Sequence, residues 1–529
     1  MIAPDRTRAE LLAEIDAPDI GTDPLDDMTD PRIATSDVHV RVCGHAKEDL
    51  FPLLDLAMSE RFAAVPRARL LRDVLIPVRK ALGNAHKHGN GKDPAKDIVV
   101  EIVLTRHGVV IAITDEGPGF DVARTFQRFQ ERQNYFVHQG AGFRFLHRAM
   151  STVSYEHGGR TLLLCYRQTD DSYDGSPSCS TCAEEPAVRA GVSPAARQSL
   201  LDSRWMQTCL SAELPEFGGG RARLASCRVY PSHECDDFGP RYVLQVVHHD
   251  GAVETRILTA RLHASEAIAQ ADFEAASHLY DSCVLTRVRV PRPVARLDAE
   301  PCLVLYEFVP SINLSEYFAY RGNLSAVRHA LERIGQTMAA LHRSPAVLLD
   351  VESGIADEPV QARIARADAT LRTLSSSADL VNRFQCSIRC MNDRTGSRMW
   401  RAMAPIHGSL RWDCIYYGVD GRFYLYRFEK CRRSDPGLDL GGFAADLLCF
   451  TLDHYDDEAY RVCRDELLKH YNAKAEQRID EDDLRVYSVL ALCDRLRLAQ
   501  PGSTASAQLI AALEAALRDR AEETATGGS

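Results

Sequence analysis

The chain of 529 residues has no apolar run approaching the ~20 residues that a membrane-spanning helix needs. Its first twenty residues are acidic and polar and lack the basic and apolar regions of a secretory signal, so export is not expected. It also lacks a positive excess. Sixty-three Lys and Arg face 74 Asp and Glu, and the resulting net charge of −11 argues against sequence-independent binding of nucleic acid. No internal repeat is present. The sixteen cysteines lack the doubled spacing of a zinc site: Cys179 and Cys182 form one CxxC, and the other close pair, Cys386 and Cys390, is distant and one residue wider. The expectation is therefore a cytoplasmic protein whose cysteines are unligated thiols, mostly buried as small hydrophobes in a reducing compartment.

What is present fits a multidomain soluble chain, with 45% hydrophobic content to fill its cores and an ordinary 26% of charge. Residues 1–37 carry most of the acidic bias and read as a disordered tail. A first ordered region spans 38–168, a Ser/Pro/Gly-rich linker 169–222, a second ordered region 223–500, and a C-terminal helix and tail 501–529. Within 350–400 inserted helices are expected, and Pro501 interrupts the final helical pattern.

Three stretches organise the first region. Leu70, Leu71, Val74, Leu75, Val78, Leu82 and Ala85 recur at three- and four-residue spacing, which predicts a helix that puts Lys80, Asn84 and His88 on one face. Pro77 either kinks this helix or begins it. Two strand-like runs, 97–104 and 109–114, meet at Arg106-His107-Gly108 as a hairpin would, and the second runs into Asp115-Glu116-Gly117-Pro118-Gly119. Gly140-Ala141-Gly142 then opens another predicted helix, a suitable place for an anion. A hairpin around His157-Gly158-Gly159 closes the region.

In that order and spacing the three stretches resemble the N, G1 and G2 boxes of the GHKL ATPase superfamily, most closely its anti-sigma-factor serine kinases. The resemblance implies an α/β sandwich of the Bergerat type that binds ATP and Mg2+. Asn84 would hold the magnesium, as suits a hard carbonyl oxygen. Asp115 would accept the adenine amino group, Gly117, Gly119, Gly140 and Gly142 would line the nucleotide, and Thr161 would close the adenine pocket. Residues 122–139, with Phe126, Phe129, Tyr135 and Phe136, would be the ATP lid. One position departs. Where the family has a glutamate one turn before the magnesium asparagine, this chain has Lys80, which cannot accept a proton at neutral pH unless burial lowers its pKa. Lys80 is expected to contact phosphate instead, so nucleotide binding is expected to outlast catalysis.

The second region presents paired strands at 241–247 and 255–262, a helix containing Glu274, a strand at 303–309, a helix ending in Leu341-His342, then His407-Gly408-Ser409 and Asp435-Pro436-Gly437-Leu438-Asp439-Leu440. This succession resembles the aminoglycoside and choline phosphotransferase branch of the protein-kinase-like fold and implies a bilobal α+β domain. The family's catalytic aspartate position holds Ser409, its metal-binding asparagine is Cys414, its metal-binding aspartate is Arg427, and the nearest candidate for its lysine is Arg261. Asp435 and Asp439 would anchor the loop. A degenerate kinase is therefore expected.

The two resemblances together imply an ATP-binding signalling regulator of bacterial type. Its partner by resemblance is an anti-anti-sigma-like protein or a sigma factor, with no direct nucleic acid and no membrane, and a homodimer is compatible with it. Two competing classes stay open. One is a serine kinase that uses His88 or Glu116 as base, and the other a small-molecule phosphotransferase in the second region.

Overall fold

A computed structural model describes the chain except for residues 1–5, 18–23, 27, 29, 31, 45–49, 63–64, 66, 131–145, 147–149, 169–197, 215–216, 218–220, 231–238, 283–284, 298–301, 322–323, 345–359, 375–376, 396–402 and 527–529. Gly140, Gly142, Tyr135, Phe136, Cys179 and Cys182 fall outside the described residues. The chain divides into two compact units: residues 1–174 with 309–312 and 418–421, and the remainder. No helix among the described residues is long and apolar enough to cross a membrane.

The first unit is built on an antiparallel sheet of five strands, β1 (Val38–Gly44), β2 (Ile98–Leu104), β3 (Gly108–Asp115), β4 (Thr152–Glu156) and β5 (Thr161–Arg167), in the order β1-β2-β3-β5-β4. β3 is apolar on both sides because both sides are covered. Against one face Leu11, Ile15 and Ala17 pack on Val103, Val110, Ala112, Leu163 and Cys165. The helix Ile76–Asn84 packs on β3 as well. Leu70, Leu71, Val74, Leu75, Val78, Leu82 and Ala85 are all buried, as their spacing requires. Pro77 sits in the first turn of this helix and is preceded by a widened π-helical turn over Leu71–Leu75. Proline has no N–H to donate and its ring crowds the preceding turn, so a wider turn accommodates it without ending the helix.

The disordered-tail expectation for residues 1–37 needs correction. Arg8–Glu14 is a helix, closed at its start by a capping box in which Thr7 and Glu10 exchange hydrogen bonds. Composition pointed to disorder, yet Leu11 and Ile15 are fully buried on the sheet. Polar links add register: the Thr105 hydroxyl donates to the Ile15 carbonyl at 2.8 Å, and the Arg8 amide donates to Glu156 at 2.9 Å.

The second unit opens with another antiparallel sheet of β6 (Ala222–Tyr230), β7 (Arg241–His248), β8 (Val253–His263) and the strands Cys302–Glu307 and Pro293–Leu297, in the order 293–297, 302–307, β8, β7, β6. The linker expectation for 169–222 is corrected over part of its length. Ser203–Glu213 is a helix capped by Asp202, and its Met206 and Leu210 join Leu224, Tyr242, Leu244, Leu258, Leu303 and Leu305 in one core. The helix Glu266–Asp281 packs on the sheet too, and buries Asp272 while Glu274 is exposed. A helical lobe follows, with long helices at Leu324–His342, Gly437–His454, Asp457–Asn472, Glu481–Leu498 and Thr504–Thr526. Val360–Arg372 and Ser377–Thr395 are helices within the stretch where helices were expected. The fold class is multidomain α/β with antiparallel sheets and many helices.

Candidate functional site

In the first unit the end of the helix carrying Asn84 meets the turn that follows β3. A Cβ placed on Gly89 would stand 2.2 Å from the Asp115 carboxyl carbon, and one on Gly117 would stand 2.2 Å from the Gly89 carbonyl oxygen. These are contacts that only glycine permits. The Gly117 amide donates to Asp115 Oδ1 at 2.9 Å and fixes that carboxylate. Asn90 is buried and clamps the same corner: its amide donates to the carbonyl of Asp97 at 2.9 Å, and its side-chain oxygen accepts the Glu116 N–H at 2.8 Å. Gly119 has φ of +72° and lies against Gly158, whose carbonyl accepts the Phe120 N–H at 2.8 Å. Thr161 is buried and shares hydrogen-bond contacts of 3.0 Å with Thr114 and with the His157 ring.

Asp115 is half-buried. Burial pushes its carboxyl above the ordinary range, against the Gly117 amide and the charges of Arg160 and Lys96. A carboxylate fixed by one oxygen in a partly dry corner suits recognition of an amino group. Asn84 is exposed and makes no side-chain hydrogen bond among the described residues, which leaves its carbonyl oxygen available to a hard cation. Lys80 is half-buried one turn earlier on that helix, and His88 is exposed one turn later. The structure thus brings Asn84, Lys80, His88, Asp115, Gly117, Gly119 and Thr161 into one unit. Gly89 and Asn90, directly after His88, received no role from the sequence although they carry the contact with the Asp115 turn. No local pattern marks that contact, because its two sides are far apart in the chain.

In the second unit the carboxylate of Asp439 gathers the loop at 407–409. It accepts the backbone N–H of His407 at 2.7 Å and of Gly408 at 2.9 Å, and the His342 ring at 3.2 Å. Burial would raise the Asp439 carboxyl, but His342, His407 and the amide outweigh it and hold it low. Asp435 accepts the Tyr487 hydroxyl at 2.6 Å and the Gly437 N–H at 2.8 Å. Ser409 is partly buried, and the Cys414 thiol donates to its carbonyl at 3.3 Å. Burial and the neighbouring Asp413 push that thiol well above its ordinary pKa, so it stays protonated at neutral pH.

Arg427 has φ of +73° and is ion-paired with Asp413. Burial opposes ionisation of Asp413, and the charges of Arg427 and Arg411 reverse the balance and depress its pKa. Arg261 is buried and lies 3.6 Å from Glu429. In the helix that contains Glu274, that residue is exposed and the buried acid is Asp272. It accepts from His263 at 3.0 Å, from the Tyr306 hydroxyl at 2.9 Å and from the Phe428 N–H at 2.7 Å. No group of three or more metal-ligating side chains exists among the described residues.

Residues 53–166 match the family model of the histidine kinase-like ATPase domain, and this is the stretch that carries Asn84, Asp115 and Thr161. No match was found among curated proteins. Similar solved structures include a choline/ethanolamine kinase family protein from Mesorhizobium loti (13% identity, 60% of this chain and 95% of that one, TM-score 0.37). Others are aminoglycoside 2'-phosphotransferase-IIIa with GDP (13%, 60% and 98%, TM-score 0.38) and choline kinase LicA from Streptococcus pneumoniae (10%, 59% and 98%, TM-score 0.36).

Proposed function

We propose that the histidine kinase-like ATPase domain binds ATP together with Mg2+, and that nucleotide occupancy governs the binding of a protein partner. The carrying observation is the corner at Asp115: Gly89 and Gly117 hold the carboxylate by contacts that leave no room for a Cβ, and Asn84 lies exposed on the same helix. Asn84 would hold the metal through its carbonyl oxygen, and the ion would supply charge neutralisation for the phosphates. Lys80 adds a cation on that face in place of a proton acceptor, which favours binding over phosphoryl transfer. The partner class is an anti-anti-sigma-like protein or a sigma factor, and the second unit serves as a further docking module without catalysis. The Arg427–Asp413 ion pair supports this last point, because a guanidinium repels a divalent cation from the position it holds.

A second reading has one observation behind it. His88 is exposed, makes no hydrogen bond among the described residues and lies one turn beyond Asn84, so it is available as a base for a serine kinase.

Calorimetry on the full chain tests the leading reading. Binding of ATP is expected to need magnesium, to weaken at least tenfold in Asn84→Ala, and to lose its preference for ATP over GTP in Asp115→Asn. Tight binding that neither substitution changes would overturn it. Incubation with labelled ATP and a candidate partner scores the kinase reading separately, since that reading requires transfer that His88→Ala abolishes.

A further inference from the structure

The helical lobe of the second unit contains a cavity of about 190 Å³ that the nucleotide reading leaves unused. Its lining joins the end of the helix Leu324–His342, the residues around Met403 and Pro436, and the segment after the helix Asp457–Asn472. That volume is many times the ~10–15 Å³ that one water needs, so the space admits a small solute. Two guanidinium side chains, Arg343 and Arg433, line it against a single carboxylate, Glu476. Arg343 spends its Nε on the Ala339 carbonyl at 3.1 Å, and Arg433 spends one Nη on the Met403 carbonyl at 2.9 Å. Each guanidinium has five N–H donors, so both keep donors for a ligand while these bonds hold them in place. The two guanidinium groups outnumber the carboxylate and offer spare donors, which favours an anion with several acceptor oxygens over a cation.

The inner wall has a second property. The Tyr471 hydroxyl contacts the His342 ring at 3.0 Å, and the other nitrogen of that ring reaches Asp439 at 3.2 Å. Asp439 in turn holds the His407 and Gly408 amides. Tyr471 and His342 both line the cavity, so a ligand there lies beside a hydrogen-bonded chain that ends on the 407–409 loop.

We propose that this cavity is a binding site for a small phosphoryl dianion, inorganic phosphate or the phosphate group of a small monoester, and that its occupancy steadies the 407–409 loop through His342 and Asp439. The proposal is independent of the nucleotide reading of the first unit.

The test is calorimetry of the full chain with inorganic phosphate at constant ionic strength, joined to hydrogen exchange at the His407 and Gly408 amides. Saturable binding is expected, weakened at least tenfold in the Arg343→Gln/Arg433→Gln double variant and tightened severalfold in Glu476→Gln. Glu476 is exposed, so that second variant keeps the test decisive if the double variant unfolds. Exchange at the two amides is expected to slow at least twofold with phosphate. A small phosphate monoester that binds tenfold more tightly than inorganic phosphate would identify the monoester as the ligand, and equal or weaker binding would identify the free ion. Absence of saturable binding, affinities unchanged across the variants, or equal saturation by acetate would overturn the site. Unchanged exchange at saturation would overturn the coupling to the loop.

Discussion

Asp272 and Phe428 are 156 positions apart in the chain, and the carboxylate of the first accepts the backbone N–H of the second at 2.7 Å. The same carboxylate takes His263 and the Tyr306 hydroxyl, so one buried acid joins the helix Glu266–Asp281, two strands and the turn at 427–429. Burial disfavours its charge, but His263 and Arg261 win and depress its pKa. Asp272→Ala leaves three donors without their acceptor and is expected to cost about 3–5 kcal/mol of the second unit's stability. Glu274→Ala, on the exposed side of the helix, is expected to stay within about 0.5 kcal/mol. Urea unfolding at pH 7 distinguishes them. Since the folded pKa is the lower one, the stabilisation is full above the unfolded carboxylate pKa and lost as pH falls through the folded value, so the gap between wild type and Asp272→Asn narrows in acid.

Arg427 and Asp413 are expected to behave as one unit. Each is largely buried, with side-chain exposures of 14% and 10%, so removing either leaves the other charge without its counter-ion. Arg427→Ala and Asp413→Asn are each expected to destabilise, and the double variant by less than their sum, with a coupling of about 1–3 kcal/mol in a denaturation cycle. No phosphotransferase turnover is expected in any of the three. Additive effects would show the pair to be incidental.

The sequence displays these elements unevenly, for identifiable reasons. The helix Ile76–Asn84 and the strands β2 and β3 were legible because their apolar residues follow a period or fill an uninterrupted run. The helix Arg8–Glu14 was hidden by its acidic surroundings, although Leu11 and Ile15 already stand four residues apart. Ser203–Glu213 was hidden by flanking Ser, Pro and Gly. Asp272 and Glu274 could not be ranked at all. Two residues apart on a helix they point about 200° from each other, and only the sheet on one side decides which is buried. At Asp115 the glycines were legible as a group, but the contact of Gly117 with Gly89 joins segments 28 residues apart and exists only in the fold.

That contact gives a third prediction. Gly89→Ala puts a methyl 2.2 Å from the Asp115 carboxyl carbon, so the carboxylate or the helix end must move. Such overpacking costs about 1–3 kcal/mol. ATP affinity is expected to fall at least tenfold while the circular dichroism spectrum is retained. Gly83→Ala, on the same helix with nothing within 4 Å of the new Cβ, serves as the control and is expected to bind normally.

Asp115 also sets a pH dependence. Its folded pKa is raised by burial, so it takes up a proton at higher pH than a free carboxylate does. A protonated acid cannot accept from an amino group through the oxygen that carries the proton. Adenine-nucleotide affinity is therefore expected to weaken on acidification, beginning above the ordinary carboxylate range. The sign for folding is opposite, because a raised acid pKa means that protonation relieves the fold as pH falls. Calorimetric titrations of ATP across pH 8 to 5 check the first effect, and Asp115→Asn is expected to remove it.

Lys80 decides between a nucleotide-controlled binder and an enzyme. If its ammonium serves the phosphates, it attracts a multiply charged ligand: one ion pair near 4 Å at an effective dielectric of ~20 amounts to about 4 kcal/mol before desolvation. The net effect is smaller, since desolvation opposes it. Lys80→Ala is then expected to weaken ATP more than ADP, because the triphosphate carries the larger charge. Lys80→Glu is expected to weaken both further and to raise slow hydrolysis or transfer, since it places a proton acceptor one turn before Asn84. A kinase that depends on the lysine predicts the reverse, with wild-type turnover that falls when Lys80 is replaced. Hydrolysis rates and equilibrium affinities for ATP and ADP in the three proteins, at fixed salt and magnesium, separate these outcomes. Equal affinities throughout would make Lys80 a helix residue without a part in nucleotide recognition, and the nucleotide-controlled binder would lose its phosphate contact.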